Sequence, residues 1–368
     1  ALDCAIVGCV EPSIIGAFGR NNGGFLNLAR IVDFALNDGR DRLTGEQLGL
    51  HTGDPHNFTC IEDVMEAVKT QLLYFIKLLA TEDHIIDVVQ SELTPHVLVS
   101  TMIPACIEKG KDITAGGAIY HTTTPFGAGL ATATDSLAAI KKAVFEDKSV
   151  SMDELLHALD TDFEGMEGEK IRQKLLATPK FGNDDDYVDE FARFLTDTFM
   201  KEVETYESGR GGHLVGGFFT LSSTVPLGHE TPATPNGRKA RTPISDSVSP
   251  TNGVEENGPT AVLNSAAKID HSRCAAGNAV NIKFSPGALE SAGKLEKFAN
   301  LITAYLIDMH GFEVQINVVS ADTLRAAQKN PAEYRDLIIR IAGYSARFVE
   351  LAPDIQEDLI TRTEHQMV

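Results

Sequence analysis

The sequence predicts a mixed α/β protein, on three observations. From 59 to 79, Ile61, Val64, Met65, Val68, Leu72, Phe75, Ile76 and Leu79 recur at helical spacing. Two other segments alternate with a period of two. In 279–284, Val280, Ile282 and Phe284 alternate with Asn281 and Lys283; in 312–319, Phe312, Val314, Ile316 and Val318 alternate with Glu313, Gln315 and Asn317. Such alternation marks half-buried strands. A helical stretch at 295–309 lies between the two, so they form a candidate parallel pair joined by a crossover helix.

Taken in order, residues 3–10 (DCAIVGCV) predict a short buried strand running into a loop. Pro12, Gly16, Gly19, Gly23 and Gly24 predict an irregular stretch after it. Helices are expected over 27–37, 59–79, 82–91 and 95–106, and Thr59 with Glu62 reads as a capping box. The Gly/Thr-rich segment 114–134 is too rich in glycine for a helix and predicts close backbone approach. Helices resume at 135–144, at 151–159 (a second capping box, Ser151 with Glu154), at 169–176 and at 186–206. Asp184, Asp185 and Asp186 fall where the last of these begins. The helix dipole favours carboxylates there, a commoner cause of such a triplet than a metal site. Residues 210–260 are rich in Gly, Pro, Ser and Thr and predict a long structured loop with a strand near 214–221. Helices at 321–329 and 332–340 lead into Ile341-Ala342-Gly343-Tyr344-Ser345.

The chain has 368 residues, and at roughly 150 per domain two or three domains are expected. Its 43% hydrophobic content supports a sizeable core, and no apolar run is long enough for a membrane span. With 32 Lys+Arg against 52 Asp+Glu the net charge is −20, which repels phosphate backbones and anionic lipid; nucleic-acid and membrane partners are not expected. The five cysteines, Cys4, Cys9, Cys60, Cys106 and Cys274, contain no CxxC pair. That disfavours a disulfide framework or zinc site and fits a reducing cytoplasm. The chain starts without Met, in what reads as mid-strand, and has no secretion-signal pattern. The expectation is the C-terminal part of a longer polypeptide, or one piece of a split one.

Two places hold candidate chemistry. In Gly8-Cys9-Val10-Glu11-Pro12, Pro12 biases Glu11 toward the extended region, where residues i and i+2 point the same way. Cys9 and Glu11 would then project together, a reactive sulfur beside an acid–base group. The competing reading is a buried structural thiol. In Arg340-Ile341-Ala342-Gly343-Tyr344-Ser345, the competing reading of Gly343 is a left-handed cap on the preceding helix.

These two places also carry a resemblance. RIAGYSARFVELAPDIQEDLITRTEH resembles the C-terminal signature of glycyl radical enzymes, the pyruvate formate-lyase superfamily, and GCVEP resembles the cysteine loop of its dehydratase-like branch. DITAGGAIYH with DSLAAI, TPATPNGRKARTPISDSVSP, CAAGNAVNIKF and QINVVSADTLRAAQKNPAEYRDL follow in the family's order, so the resemblance covers essentially the whole chain.

The resemblance implies a ten-stranded α/β barrel built from two half-barrels. Residues 1–240 would be the second half-barrel region with the cysteine loop, and 241–368 the C-terminal glycyl radical domain. It implies that Gly343 stores a radical on its Cα, where the absence of a Cβ permits planarity. Cys9 would become a thiyl that takes a substrate hydrogen, and Glu11 would take a proton as a C–O, C–N or C–S bond breaks. No bound cofactor is implied, because the protein itself carries the radical. The implied partners are a radical S-adenosylmethionine activating enzyme, the N-terminal half of the barrel on the same or a separate chain, a small-molecule substrate, and a second copy in a homodimer.

Pyruvate formate-lyase itself carries two adjacent cysteines in this loop. Here Gly8 and Val10 flank Cys9, so acyl transfer is disfavoured. Family members that add fumarate to hydrocarbons generally lack the glutamate. The family's diol dehydratases carry an aspartate about a dozen residues beyond the cysteine, whereas 13–25 contains no acid; Asn21 or Asn22 stands nearest. Arg20 and Asn22 are therefore the candidate substrate contacts, Arg20 for a carboxylate or sulfonate. The alternatives are a radical decarboxylase of an arylacetate-type acid and a spare-part glycyl radical subunit. Cys9 and Glu11 argue against the latter, which needs only the Gly343 region. His213, His229, His271 and His310 have no ligand spacing, and Arg238, Lys239 and Arg241 read as a solvated turn or salt-bridge partners.

Overall fold

The computed structural model describes residues 3–367 and their side chains, apart from those of Arg20 and Asn21. Its centre is a succession of parallel strands. β1 (Cys4–Val7) and β2 (Glu11–Ile14) form an antiparallel hairpin ahead of it, with Val7 opposite Glu11. β3 (Phe18–Asn27), β4 (Tyr120–Ala128), β5 (Gly217–Phe218) and β6 (Gly277–Asn278) then pair in parallel in that order. β7 (Val280–Phe284) pairs in parallel with β8 (Val314–Val318), as the alternation predicted, with helix Ala292–Thr303 crossing between them. Only Ala279 separates β6 from β7, so one run of chain joins the two sheets into five successive parallel positions. Parallel strands need such crossovers, and the helices that make them cover the sheet.

The helices dock by their apolar stripes. α1 (Leu28–Ala35) is capped by the Asn27 side chain, which accepts from Arg30 N–H. α2 (Ile61–Leu93) is one helix where two were expected. Its cap falls one residue later than the Thr59–Glu62 pattern: the Asp63 carboxylate accepts from Thr59 and Cys60. The first half of α2 buries Ile61, Val64, Val68, Leu72, Ile76 and Leu79. Beyond Ala80 it buries only Asp83 and Asp87, and Ile85, Val89 and Leu93 face outward. Asp87 accepts from Arg210 Nε at 2.8 Å and from the Thr123 hydroxyl at 2.6 Å, tying α2 to β4 and to the loop before β5. The expected helix at 95–106 is split into Val97–Ser100 and Pro104–Lys109, with Pro104 opening the second piece. The Ser151–Glu154 capping box holds, on helix Met152–Asp160. Asp184 and Asp186, with Asp189, hold the Lys268 ammonium at 2.7–2.9 Å, so the acidic triplet serves an ion-pair cluster.

Four further expectations are corrected. β1 is exposed, not buried: Ile6 and Val7 face outward. The glycine-rich stretch after it is the ten-residue strand β3. There a Cβ on Gly23 would stand 2.8 Å from Pro125 N, and one on Gly24 2.5 Å from Leu79, so the glycines admit close neighbours. The strand expected near 214–221 reduces to β5, and most of that loop is irregular. Residues 332–340 are not a helix. A short turn, Pro331–Glu333, leads to β9 (Ile338–Arg340), which pairs antiparallel with β10 (Ser345–Arg347), and Gly343 stands at the hairpin tip. After β10, helix Pro353–Thr361 leads to β11 (Glu364–His365), which lies parallel beside β7.

The large core lies between the sheet and its helices. A second cluster, including Val319, Leu324, Ile339, Ile341, Phe348, Leu359 and Ile360, packs the segment that carries the β9–β10 hairpin. Among the described residues no helix is long and apolar enough to cross a membrane. Replacing Asp87 strands the buried Arg210 guanidinium, so Asp87→Ala is expected to cost about 3–5 kcal/mol in chemical denaturation. A loss below about 1 kcal/mol would show that water or Gln90 compensates the charge.

Candidate active site

The cysteine hairpin turns at Gly8, whose φ of +68° is in the left-handed region. Cys9 lies in this turn, so the simple i, i+2 projection expected of an extended segment does not apply. Instead the buried Glu11 side chain folds back under the turn, and its Oε2 accepts from the N–H groups of Cys9 and Val10, both at 2.9 Å. Val10 is fully buried against β6. A Cβ on Gly277, whose φ is +110°, would stand 2.4 Å from the Val10 carbonyl oxygen. That glycine is what lets the hairpin seat on the sheet.

The β9–β10 hairpin arrives from the opposite end of the sequence. Ile341 N–H donates to the Tyr344 carbonyl at 2.9 Å, and Gly343 adopts φ +75°. A Cβ built on Gly343 would stand 2.2 Å from Cys9 Cβ, 2.6 Å from Cys9 Sγ and 2.7 Å from Phe219 Cζ. No side chain fits there. Adding one carbon–carbon bond puts the Gly343 Cα at most about 4 Å from the sulfur. Val10, Phe126, Phe219, Ala276, Ala279 and Ala342 form the apolar shell around this contact. Burial, followed by the Glu11 charge, pushes the Cys9 thiol above its ordinary range, with Arg340 opposing and Glu313 reinforcing. The sulfur therefore keeps its hydrogen, which suits hydrogen-atom transfer better than thiolate chemistry.

A polar network supports the glycine from beneath. The buried Gln315 on β8 accepts at Oε1 from Gly343 N–H (2.7 Å) and from Arg340 Nε (3.0 Å), and its Nε2 donates to Glu313 Oε1 (2.7 Å). Asn317 brackets the Arg340 backbone, accepting from its N–H at 2.9 Å and donating to its carbonyl at 2.6 Å. Arg362 donates to the Ile341 carbonyl at 2.7 Å and pairs with Asp358 at 3.3 Å. Burial pushes the Glu313 carboxyl up, with the Gln315 hydrogen bond and Arg340 opposing.

Sequence reasoning took Glu313, Gln315 and Asn317 for the open face of a half-buried strand and missed this role. The available signal was the parallel crossover itself, since a parallel strand is covered on both faces. Lys283 on β7 repeats the lesson: it is buried and donates to the Ile360 carbonyl at 2.8 Å.

The other candidates are spread around this centre. Asn22 lines, with Glu11, Ser13 and His96, a cleft of roughly 520 Å³. Arg20 lies on β3 level with Thr122, and its side chain is outside the described residues. His271 is a buried structural residue between the Ala266 carbonyl and Asn278. Arg238 is not solvated, and among the described residues it is not bonded to a carboxylate. It is buried and donates to the carbonyls of Gly228, Pro232 and Thr242, while Lys239 and Arg241 are exposed.

Comparison with known proteins agrees with this geometry. The family model described as pyruvate formate lyase-like matches residues 1–228, and the one described as glycine radical matches 244–349. The chain is 40% identical to the trans-4-hydroxy-L-proline dehydratase of Clostridioides difficile, covering 97% of this chain and 45% of that one. It is 39% identical to the isethionate sulfite-lyase of Desulfovibrio desulfuricans, covering 100% of this chain and 45% of that one. The glycerol-bound B12-independent glycerol dehydratase from Clostridium butyricum superposes with a TM-score of 0.93 at 42% identity, over 99% of this chain and 46% of that one. The chain thus spans about half the length of the curated relatives it matches. With the two matches in sequence order and the loops they contain in contact through Cys9 and Gly343, this chain belongs to the pyruvate formate lyase-like family of glycyl radical enzymes.

Proposed function

We propose that this chain carries the radical machinery of a lyase that breaks a carbon–heteroatom bond in a small substrate. The observation that carries the reading is the contact of Gly343 with Cys9 in an apolar shell. Gly343 stores the unpaired electron on its Cα, between a donating amide nitrogen and a withdrawing carbonyl. The S–H bond of Cys9 breaks as a C–H bond forms on Gly343, which leaves the electron on sulfur. The sulfur then takes a hydrogen atom from a substrate carbon and re-forms S–H. Glu11 accepts a proton from the neighbouring substrate hydroxyl or ammonium as the adjacent C–O, C–N or C–S bond breaks. The heteroatom leaves with the electron pair of the broken bond and takes the proton that Glu11 collected, which frees the base. The product radical recovers a hydrogen atom from Cys9, and the thiyl so formed takes one from the Gly343 Cα, which returns the unpaired electron to Gly343 and closes the cycle. Relatives named as dehydratases and sulfite-lyases support this reaction class. Asn22, at the cleft shared with Glu11, and Arg20 are the proposed substrate contacts.

The same reading accounts for the partners. The outward-facing Leu93, Val97, Leu98 and Met102 form an apolar surface beside that cleft, and β3 is an edge strand. We assign this face to the remaining half of the barrel. In this reading the boundary between the barrel region (1–240) and the glycyl radical domain (241–368) cuts the sheet, because β6, β7 and β8 of the second part continue the parallel succession begun by β3–β5. A radical S-adenosylmethionine activating enzyme would install the radical. To reach it Gly343 must leave the apolar shell, which breaks the bonds of Gln315 and Asn317 to the hairpin and frees β11 from β7. The five free cysteines suit a reducing cytoplasm, and a homodimer is compatible with the reading.

After anaerobic activation, electron paramagnetic resonance should give a glycine-centred doublet that Gly343→Ala abolishes; a doublet surviving that change contradicts the assignment. Cys9→Ser should keep the doublet and lose all turnover of trans-4-hydroxy-L-proline, isethionate or glycerol, whichever the unsubstituted enzyme accepts. Turnover by Cys9→Ser would move the hydrogen carrier elsewhere. Glu11→Gln retains an acceptor for the turn's N–H groups yet loses the base, so kcat should fall about 10²–10⁴-fold. A fall under about threefold would remove Glu11 from proton transfer.

A further inference from the structure

Gly343 is held by more than its fit against Cys9. Its only side-chain partner among the described residues is Gln315, and that residue is itself held in one orientation. Two donors converge on Gln315 Oε1: the Gly343 amide at 2.7 Å and Arg340 Nε at 3.0 Å. The opposite end of the same amide group donates to Glu313 Oε1 at 2.7 Å. Turning the amide over would point its NH₂ at two N–H donors and its oxygen at a carboxylate, losing all three bonds. Gln315 is almost wholly buried, so water does not substitute for it. Glu313 is half-buried, its second carboxylate oxygen has no hydrogen-bond partner among the described residues, and its charge acts on the Cys9 thiol.

We propose that Gln315, oriented by Glu313, is the positioning residue of the radical step: it holds the Gly343 amide and tunes the radical through that hydrogen bond. The inference rests on the functional reading above. A radical on Cα is stabilised by electron donation from the amide nitrogen. An acceptor drawing on that N–H raises the electron density on nitrogen, and so strengthens the donation. The same bond anchors the hairpin tip, so Cα keeps its place when one hydrogen atom crosses from sulfur to carbon or back. In that transfer one S–H bond breaks, one C–H bond forms and the unpaired electron changes sites; Gln315 and Glu313 exchange nothing.

The test uses the complete activated enzyme labelled with ¹⁵N-glycine, with electron paramagnetic resonance as readout. Gln315→Met fills the space without an acceptor. Its glycyl signal should show a changed nitrogen coupling and an anaerobic half-life about tenfold shorter. The exchange Glu313→Gln with Gln315→Glu rebuilds the pair with donor and acceptor reversed and the charge conserved; it should restore coupling and half-life to within about twofold. If Gln315→Met takes up no radical, the exchanged pair decides, because a merely structural loss would not be repaired by it. A Gln315→Met signal identical to that of the unsubstituted enzyme overturns the inference, and so does an exchanged pair as impaired as Gln315→Met. Absence of any glycyl doublet in the unsubstituted enzyme overturns the functional reading, and this inference with it.

Discussion

One steric fact organises this molecule: at position 343 the space a side chain would occupy is already filled by Cys9 and Phe219. The absence of a Cβ does two jobs there. It lets two loops from opposite ends of the chain touch, and it leaves a backbone carbon that can flatten and hold an unpaired electron. The shell around that contact, Val10, Phe126, Phe219 and three alanines, has no O–H, N–H or S–H group on its side chains. Both hairpins are shaped to make it. The first is curled by Gly8 and Glu11 and admitted to the sheet by Gly277, and the second is held at its tip by Gln315 and Arg362.

The electrostatics follow from the same packing. Burial, with the carboxylates Glu11 and Glu313 nearby, keeps the Cys9 thiol protonated, the reverse of the setting that makes a cysteine an ionic nucleophile. The hydrogen on sulfur is then available as an atom. The glycyl segment is tied to the sheet by Gln315 on the Gly343 amide, Asn317 on the Arg340 backbone, Lys283 on the Ile360 carbonyl and the two-residue strand β11 on β7, while the Arg362–Ile341 bond lies within the segment. Such a segment can be tight when docked and still leave as a unit, because its own cluster of Leu324, Ile339, Phe348 and Ile360 travels with it.

How much was legible in the sequence depended on whether a local pattern or a distant partner decided the structure. Ser151 with Glu154, and the alternation through Val280 and Ile316, are local, and the structure follows them. Residues 332–340 carry helical spacing but become a short turn followed by β9, because pairing with β10 across Gly343 outweighs the weak preference. The glycines of β3 read as irregular because their purpose, room for Pro125 and Leu79, lies far away in sequence. In the site, the cysteine and glycine loops were recognisable by their motifs. The Glu313–Gln315 pair was not, since polar residues at period two look the same under a covering hairpin as they do facing water.

The most direct test is electron–nuclear double resonance on the glycyl radical of the complete activated enzyme, grown with β-deuterated cysteine. The account predicts a deuterium coupling corresponding to about 4 Å between the Gly343 Cα and the Cys9 side chain. It predicts that the coupling vanishes in Cys9→Ala. A strong glycyl signal with no cysteine deuterium coupling, or one unchanged by Cys9→Ala, would contradict it.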